Sequence, residues 1–169
     1  LLQAYVDYES SPLDVLSKVN RRISQTIESE MFVTIAVICL DARENRTSVA
    51  RAGHEPIFMY KGGDAIEKIS PAGAAMGLLD PVAFRQSLRP FEGVISTGDV
   101  ILLYTDGITE AQNKSGEEFG YQRIEDLLLK HAAESAQNIY NIIINAVQEF
   151  TGNQPQHDDI TMLIVKKTG

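Results

Sequence analysis

Two places in this 169-residue sequence set a carboxylate at the end of an apolar, strand-like run. The first is Gly98-Asp99 followed by Val100 to Tyr104 and then Thr105-Asp106-Gly107. The apolar run suits a strand buried on both faces, and Asp106 sits where that strand meets a loop. Gly107 then lets the backbone turn or come close to a ligand. The second is Gln156-His157-Asp158-Asp159, followed by the apolar Ile160 to Val165. Two buried strands that each carry an Asp at the tip can bring two carboxylates together, and hard divalent cations prefer oxygen donors of that kind. Taken singly, each has a plainer reading. Asp-Gly is a common turn dipeptide, and Asp-Asp opens many loops and strands.

Positioning such a pair takes a folded domain, and the composition supplies one. The length suits a single domain over 1–169; apolar residues at 44% and charged at 22% are ordinary for a globular protein. The net charge of -8 and the absence of a basic cluster argue against a nucleic-acid surface, and no apolar run approaches the length of a membrane-spanning helix. The one cysteine, Cys39, has no internal disulfide partner and reads as a small core residue, which fits a reducing cytoplasm. The chain starts Leu-Leu-Gln-Ala-Tyr, without an initiator methionine or signal-peptide pattern, as a fragment of a longer protein would.

Leu1 to Glu9 reads as the tail of a helix. Ser11-Pro12-Leu13-Asp14 starts another, with Ser as N-cap, Pro at the first helical position and an acid near the positive helix end; Leu13, Leu16, Val19 or Asn20, Ile23 and Ile27 carry its apolar face to about Ser29. From Met31 the period changes. Phe32 to Leu40 reads as a buried strand, and a polar turn at Asp41 to Asn45 joins it to Arg46 to Ala52. In Gly53-His54-Glu55-Pro56 the histidine reads most simply as ordering a turn. Ile57 to Tyr60 and Ala65 to Ile69 flank a glycine turn and form a second hairpin, while Phe84 to Arg89 alternates as a half-exposed strand would. Asn113-Lys114-Ser115-Gly116 is a surface turn. Arg123 to Ala133 and Ala136 to Phe150 are helical, the second with a stripe of Ile139, Ile142, Ile143, Ala146, Val147 and Phe150 suited to packing on a sheet. Strands with helices at both ends imply an α+β sandwich.

The wording around the two Asp sites carries a resemblance. Thr-Asp-Gly-Ile-Thr-Glu-Ala after an apolar strand and Asp-Asp-Ile-Thr opening the last strand, with Met31-Phe32-Val33-Thr34 and Ala52-Gly53-His54-Glu55-Pro56, resemble the bacterial SpoIIE-type branch of the PPM, or protein phosphatase 2C-like, metal-dependent serine/threonine phosphatases. That resemblance implies two packed, mainly antiparallel sheets flanked by helix pairs, an α-β-β-α sandwich lacking its first strands. It implies Mn²⁺ or Mg²⁺, two ions in the intact domain, held by Asp106, Gly107 and Asp158, with Asp159 supporting a ligand rather than binding the ion. The nucleophile would be a metal-activated water, not a side chain. The substrate would be phosphoserine or phosphothreonine on a regulatory protein, typically an anti-sigma-factor antagonist, with a sensor or receiver domain upstream.

One departure from the pattern matters. The family's bridging carboxylate comes from a Gly-Asp and Gly-His-Gly segment that this sequence lacks; Asp7 and Asp14 stand in helices and do not replace it. The fragment is therefore expected to be nearly inactive alone, and an unpaired sheet edge would favour a homodimer. The competing classes are a non-catalytic, phosphatase-like binding module and a metal hydrolase of another fold. The retained Asp106 and Asp158 weigh against the first. The lack of a His-Glu-x-x-His motif weighs against the second.

Overall fold

The computed structural model describes residues 11–28, 30–152, 154–156 and 158–169, so the expected helix tail over 1–9 and His157 lie outside the described residues. In chain order the elements are α1 (Pro12–Ile23), β1 (Ile35–Asp41), β2 (Arg46–Ala52), β3 (Ile57–Tyr60), β4 (Ile66–Ile69), α2 (Pro81–Ser87), β5 (Phe91–Val94), β6 (Val100–Tyr104), α3 (Asp106–Thr109), α4 (Gly120–His131), α5 (Ala136–Thr151) and β7 (Met162–Lys166). The chain is α+β, with two antiparallel sheets. It divides into two compact units: one comprises the segment ending at His54 with Ser70–Ile95, the other Glu55–Ile69 with Ser96–Gly169.

The first unit holds the three-stranded sheet β1-β2-β5. Helix α1 begins where its sequence predicts: Ser11 is extended and its carbonyl accepts from the Asp14 and Val15 amides, though its side chain makes no capping hydrogen bond, while Pro12 opens the first turn and Asp14 lies in it. Leu13, Val15, Leu16 and Val19 pack with Ala50 and Ala52 of β2, Met76, Phe84 and Leu88. The helix stops at Ile23, short of the expected Ser29. Beyond it the amides of Gln25 and Thr26 bond three residues back, and the Thr26 hydroxyl donates to the Arg22 and Ile23 carbonyls, so the polar Ser24-Gln25-Thr26 run replaces the helical ladder with a turn.

The first hairpin forms in the expected register, Ile35 opposite Ala52 and Asp41 opposite Arg46, and Asp41 Oδ1 closes the turn by accepting from the Arg43 and Glu44 amides. Its first strand departs from expectation. Phe32 is 57% exposed and outside the ladder, and β1 is at best half-buried, because β1 is the outer strand of this sheet among the described residues. Cys39 is accordingly half-buried rather than a core residue, and burial pushes its thiol up. A second difference lies at 81–87, where a helix replaces the strand-like alternation of Phe84 to Arg89. Asp80 Oδ1 caps it by accepting from the Val82 and Ala83 amides, Pro81 occupies the first position, and Phe84 and Leu88, four apart, both turn inward. The strand comes later, as β5.

The second unit holds the four-stranded sheet β4-β3-β6-β7. All five residues of β6 are buried, as the apolar run predicts. Ile139, Ile143 and Val147 of α5 pack with Ile124 and Leu128 of α4 against Phe58, Val100, Leu102 and Tyr104, so the stripe on α5 covers the sheet. Each large apolar side chain buried this way contributes about 1.5–3 kcal/mol. The last strand is shorter and more exposed than expected. Among the described residues β7, Met162–Lys166, is the outer strand, with Met162 and Ile164 packed inward and Leu163, on the opposite pleat, 53% exposed. Among the described residues, no helix is long and apolar enough to cross a membrane.

Candidate functional site

The tips of β6 and β7 are stitched together by one threonine. The ladder ends at the pair Tyr104 and Met162. One residue on, the Thr105 amide donates to the Thr161 carbonyl (3.0 Å), the Thr161 amide donates to Thr105 Oγ1 (2.9 Å), and Thr105 Oγ1 donates to the Asp159 carbonyl (2.8 Å). A side chain here does the work of a further ladder residue and holds the segment before β7 against the end of β6.

From Thr105 the chain turns into α3, a single helical turn. The Glu110 amide and the Thr109 hydroxyl both donate to the Asp106 carbonyl (2.8 and 3.1 Å). Gly107 is buried, and a Cβ on it would lie 2.6 Å from the Asp159 carbonyl oxygen and 3.2 Å from that of Asp158. Only glycine permits that approach. The two carboxylate-bearing segments therefore meet backbone to backbone at Gly107, with Asp106, Asp158 and Asp159 exposed around the contact. The Asp159 amide donates to Asp158 Oδ1 (2.7 Å), and Gln156 Nε2 donates to the Asp158 carbonyl (2.7 Å).

Other acids converge on the same tips. The Glu110 carboxyl is held above its usual range, first by loss of solvent and then by the charges of Asp106, Glu118, Glu55 and Asp158. Tyr121, at the start of α4, donates from its hydroxyl to Glu55 Oε2 (2.8 Å). Burial, that hydrogen bond and the charges of Glu55, Glu110 and Asp106 push its phenol up to about 12. Lys68 Nζ lies 4.0 Å from the centre of the Tyr121 ring, a cation over an aromatic face. Beneath them the buried Tyr104 phenol is driven well above its ordinary value, chiefly by desolvation and then by Glu55.

Glu110, Glu55 and Tyr121 were not singled out from the sequence. Glu110 had a readable signal: once Asp106 opens a helical turn, the residue four later lies on the same side. Glu55 and Tyr121 had none, being brought together by packing of α4 beside β3. His54, by contrast, behaves as a turn-ordering residue, its carbonyl accepting from Arg51 and its Nδ1 within 3.4 Å of the Thr34 hydroxyl.

A cleft of about 570 Å³ opens beside the tips, lined by Gly107, Glu110 and Asp158 together with Glu118 and the α5 residues Tyr140, Ile144 and Gln148. The donors at its edge are carboxylate and carbonyl oxygens, the chemistry of a hard divalent ion such as Mn²⁺ or Mg²⁺. The donor count is short. Among the described residues, no three His, Cys, Asp or Glu side chains come together as a metal-holding group. Asp14 pairs with Arg85 at 3.4 Å in the other compact unit.

Comparison with known proteins gives a consistent match. The profile of the family Stage II sporulation protein E (SpoIIE) matches residues 1–168. The chain is 29% identical over 160 residues to phosphoserine phosphatase RsbU of Bacillus subtilis, covering 92% of this chain and 45% of RsbU, so it spans less than half the length of that relative. The SiaA-PP2C domain of Pseudomonas aeruginosa superposes with a TM-score of 0.82 at 22% identity, covering 99% of this chain and 68% of that one. The manganese-presoaked phosphatase domain of SpoIIE from Bacillus subtilis superposes with a TM-score of 0.62 at 18% identity, covering 99% and 71%.

Proposed function

The chain belongs to the SpoIIE-type family of PPM, or protein phosphatase 2C-like, serine/threonine phosphatases, and from that membership we propose that it serves metal-dependent hydrolysis of phosphoserine or phosphothreonine on a regulatory protein. The observation that carries this reading is the contact at Gly107, which leaves Asp106 and Asp158 flanking one point of backbone approach. In the reaction, water adds to phosphorus as the ester P–O bond breaks, releasing inorganic phosphate and a serine or threonine hydroxyl. A bound Mn²⁺ or Mg²⁺ supplies Lewis acidity toward the water and the phosphoryl oxygens.

The residues of the chain have distinct parts in this reading. Asp106, Gly107 and Asp158 would hold the cation, while the Asp159 amide steadies the Asp158 carboxylate. Thr105 keeps the two segments in register. Residues 1–169 act as one phosphatase domain. With two carboxylate tips and no third ligand in reach among the described residues, those residues alone would hold a cation weakly and be nearly inactive. That shortfall is also the one feature favouring the second reading, a phosphatase-like module that binds its partner without hydrolysis.

Similarity to RsbU, named a phosphoserine phosphatase, supports phosphoserine as the substrate group. An anti-sigma-factor antagonist as the phosphorylated partner, control by an upstream sensor or receiver domain, a cytoplasmic location and a homodimer belong to the same proposal. The manganese-presoaked SpoIIE domain supports a divalent ion. The test is manganese titration by calorimetry together with phosphate release from a phosphoserine peptide, both on the full-length protein. Asp106→Asn should abolish the binding heat and lower phosphate release at least about 100-fold, in line with loss of a ligand to a catalytic metal. Equal turnover by the variant would refute the assignment.

A further inference from the structure

The cleft beside the carboxylate tips has a lining that the hydrolytic reading does not use. Its volume of about 570 Å³ falls within the ~300–1,000 Å³ typical of ligand sites. It extends from Gly107, Glu110 and Asp158 to α5, where Tyr140 and Ile144 offer apolar surface, with Tyr140 38% exposed. Gln112, Gln148, Gln154 and Gln156 also line it and bring side-chain amides to this part of the fold, that of Gln156 already donating to the Asp158 carbonyl. Each amide is both donor and acceptor, which matches a peptide backbone with one N–H and one C=O per residue. The charged residues of the lining are all acidic, Glu110, Glu118 and Asp158; no lysine or arginine stands among its described residues.

We propose that this cleft receives the polypeptide on one side of the phosphoserine and selects segments that carry lysine or arginine there. The inference rests on the phosphatase reading of Asp106 and Asp158. A phosphoserine dianion approaching several carboxylates is repelled except where a cation intervenes, and a basic flanking residue seated near Glu118 offsets part of that repulsion. The same acids turn away a segment with acidic flanks. The amides hold either backbone equally, so the charge of the flank decides between segments.

The test uses two fluorescent phosphoserine peptides of equal length, one flanked by lysines and one by glutamates, titrated into the full-length protein with Mn²⁺ at low salt. Binding is followed by anisotropy and phosphate release is measured in parallel. The lysine peptide should bind about tenfold more tightly, as expected for a few partly screened charge contacts, and added salt should shrink the ratio. Glu118→Lys, at an exposed position, should bring the ratio close to one. Glu67→Lys makes the same change in net charge on β4 outside the cleft and should keep most of the discrimination. Equal affinities, no binding of either peptide, or an identical effect of the two variants would overturn the proposal. Discrimination without phosphate release would uphold the groove and remove the phosphatase reading. Phosphate release without discrimination would do the reverse.

Discussion

Strands β1 and β6 are alike in sequence and unlike in circumstance. Ile35 to Leu40 and Val100 to Tyr104 are both unbroken apolar runs, yet every residue of β6 is buried while β1 is at best half-buried. The sheet order accounts for it. β6 lies between β3 and β7 and under the apolar faces of α4 and α5, whereas β1 has a neighbour on one side only among the described residues. An apolar run reports what a segment can bury. Its place in the sheet decides what it does bury, and so which strand can anchor a rigid site at its tip.

Truncating one side chain in each strand should expose that contrast most strongly. Leu102→Ala removes a fully buried side chain from the centre of β6 and should cost about 3–4 kcal/mol in denaturant unfolding; Ile38→Ala, at a half-buried position in β1, should cost about 1 kcal/mol. Equal losses would mean that sheet order does not control burial. Gly107→Ala comes next. Its Cβ would stand 2.6 Å from a backbone oxygen with no flexible side chain to yield, so the Asp158–Asp159 segment must move. We expect about 2–3 kcal/mol of destabilisation, as for overpacking, and loss of manganese binding. Gly62→Ala, in the β3–β4 turn, has open space and pays only for its positive φ, about 1 kcal/mol. Thr105→Val keeps the shape of the β6 tip and removes its hydroxyl bonds to Asp159 and Thr161. A loss of about 1–2 kcal/mol is expected, larger in amide-exchange protection of Thr161 than in global stability.

The smallest effect is a pH dependence confined to the second unit. The folded state holds the Tyr121 phenol up to about 12, above the unfolded value near 10. Its contribution to stability is therefore complete below about pH 10 and is lost as pH rises toward 12. Tyr121→Phe should flatten that alkaline limb, and an unaltered limb would count against the Glu55 contact. Glu110 has the same sign at acid pH: its raised carboxyl favours the protonated form, so its repulsion grows as it ionises.

Much of this was legible in the residues. Ser11-Pro12 and the apolar spacing gave α1, the stripe on α5 identified the face that packs on the sheet, and the apolar run before Thr-Asp-Gly gave the buried strand that ends at Asp106. The misreadings have physical causes. Phe84 to Arg89 alternates over too few residues to separate a strand from a short helix, and the deciding signal was the cap at Asp80-Pro81 just before it. Ile160 to Val165 is apolar enough for a central strand, but it is an edge strand and starts later.

What the sequence alone determined is what neighbouring residues decide among themselves: caps, turns, helix faces and hairpin registers, all set by groups a few bonds apart. The approach of Asp106 to Asp158, the clustering of Glu110, Glu118 and Glu55 around them, and the Tyr121 contact belong to the tertiary structure. They join residues as far apart as the 66 positions between Glu55 and Tyr121. No local preference encodes such a pairing, because it comes from the burial of β6 and the folding of α4 and α5 over the same sheet.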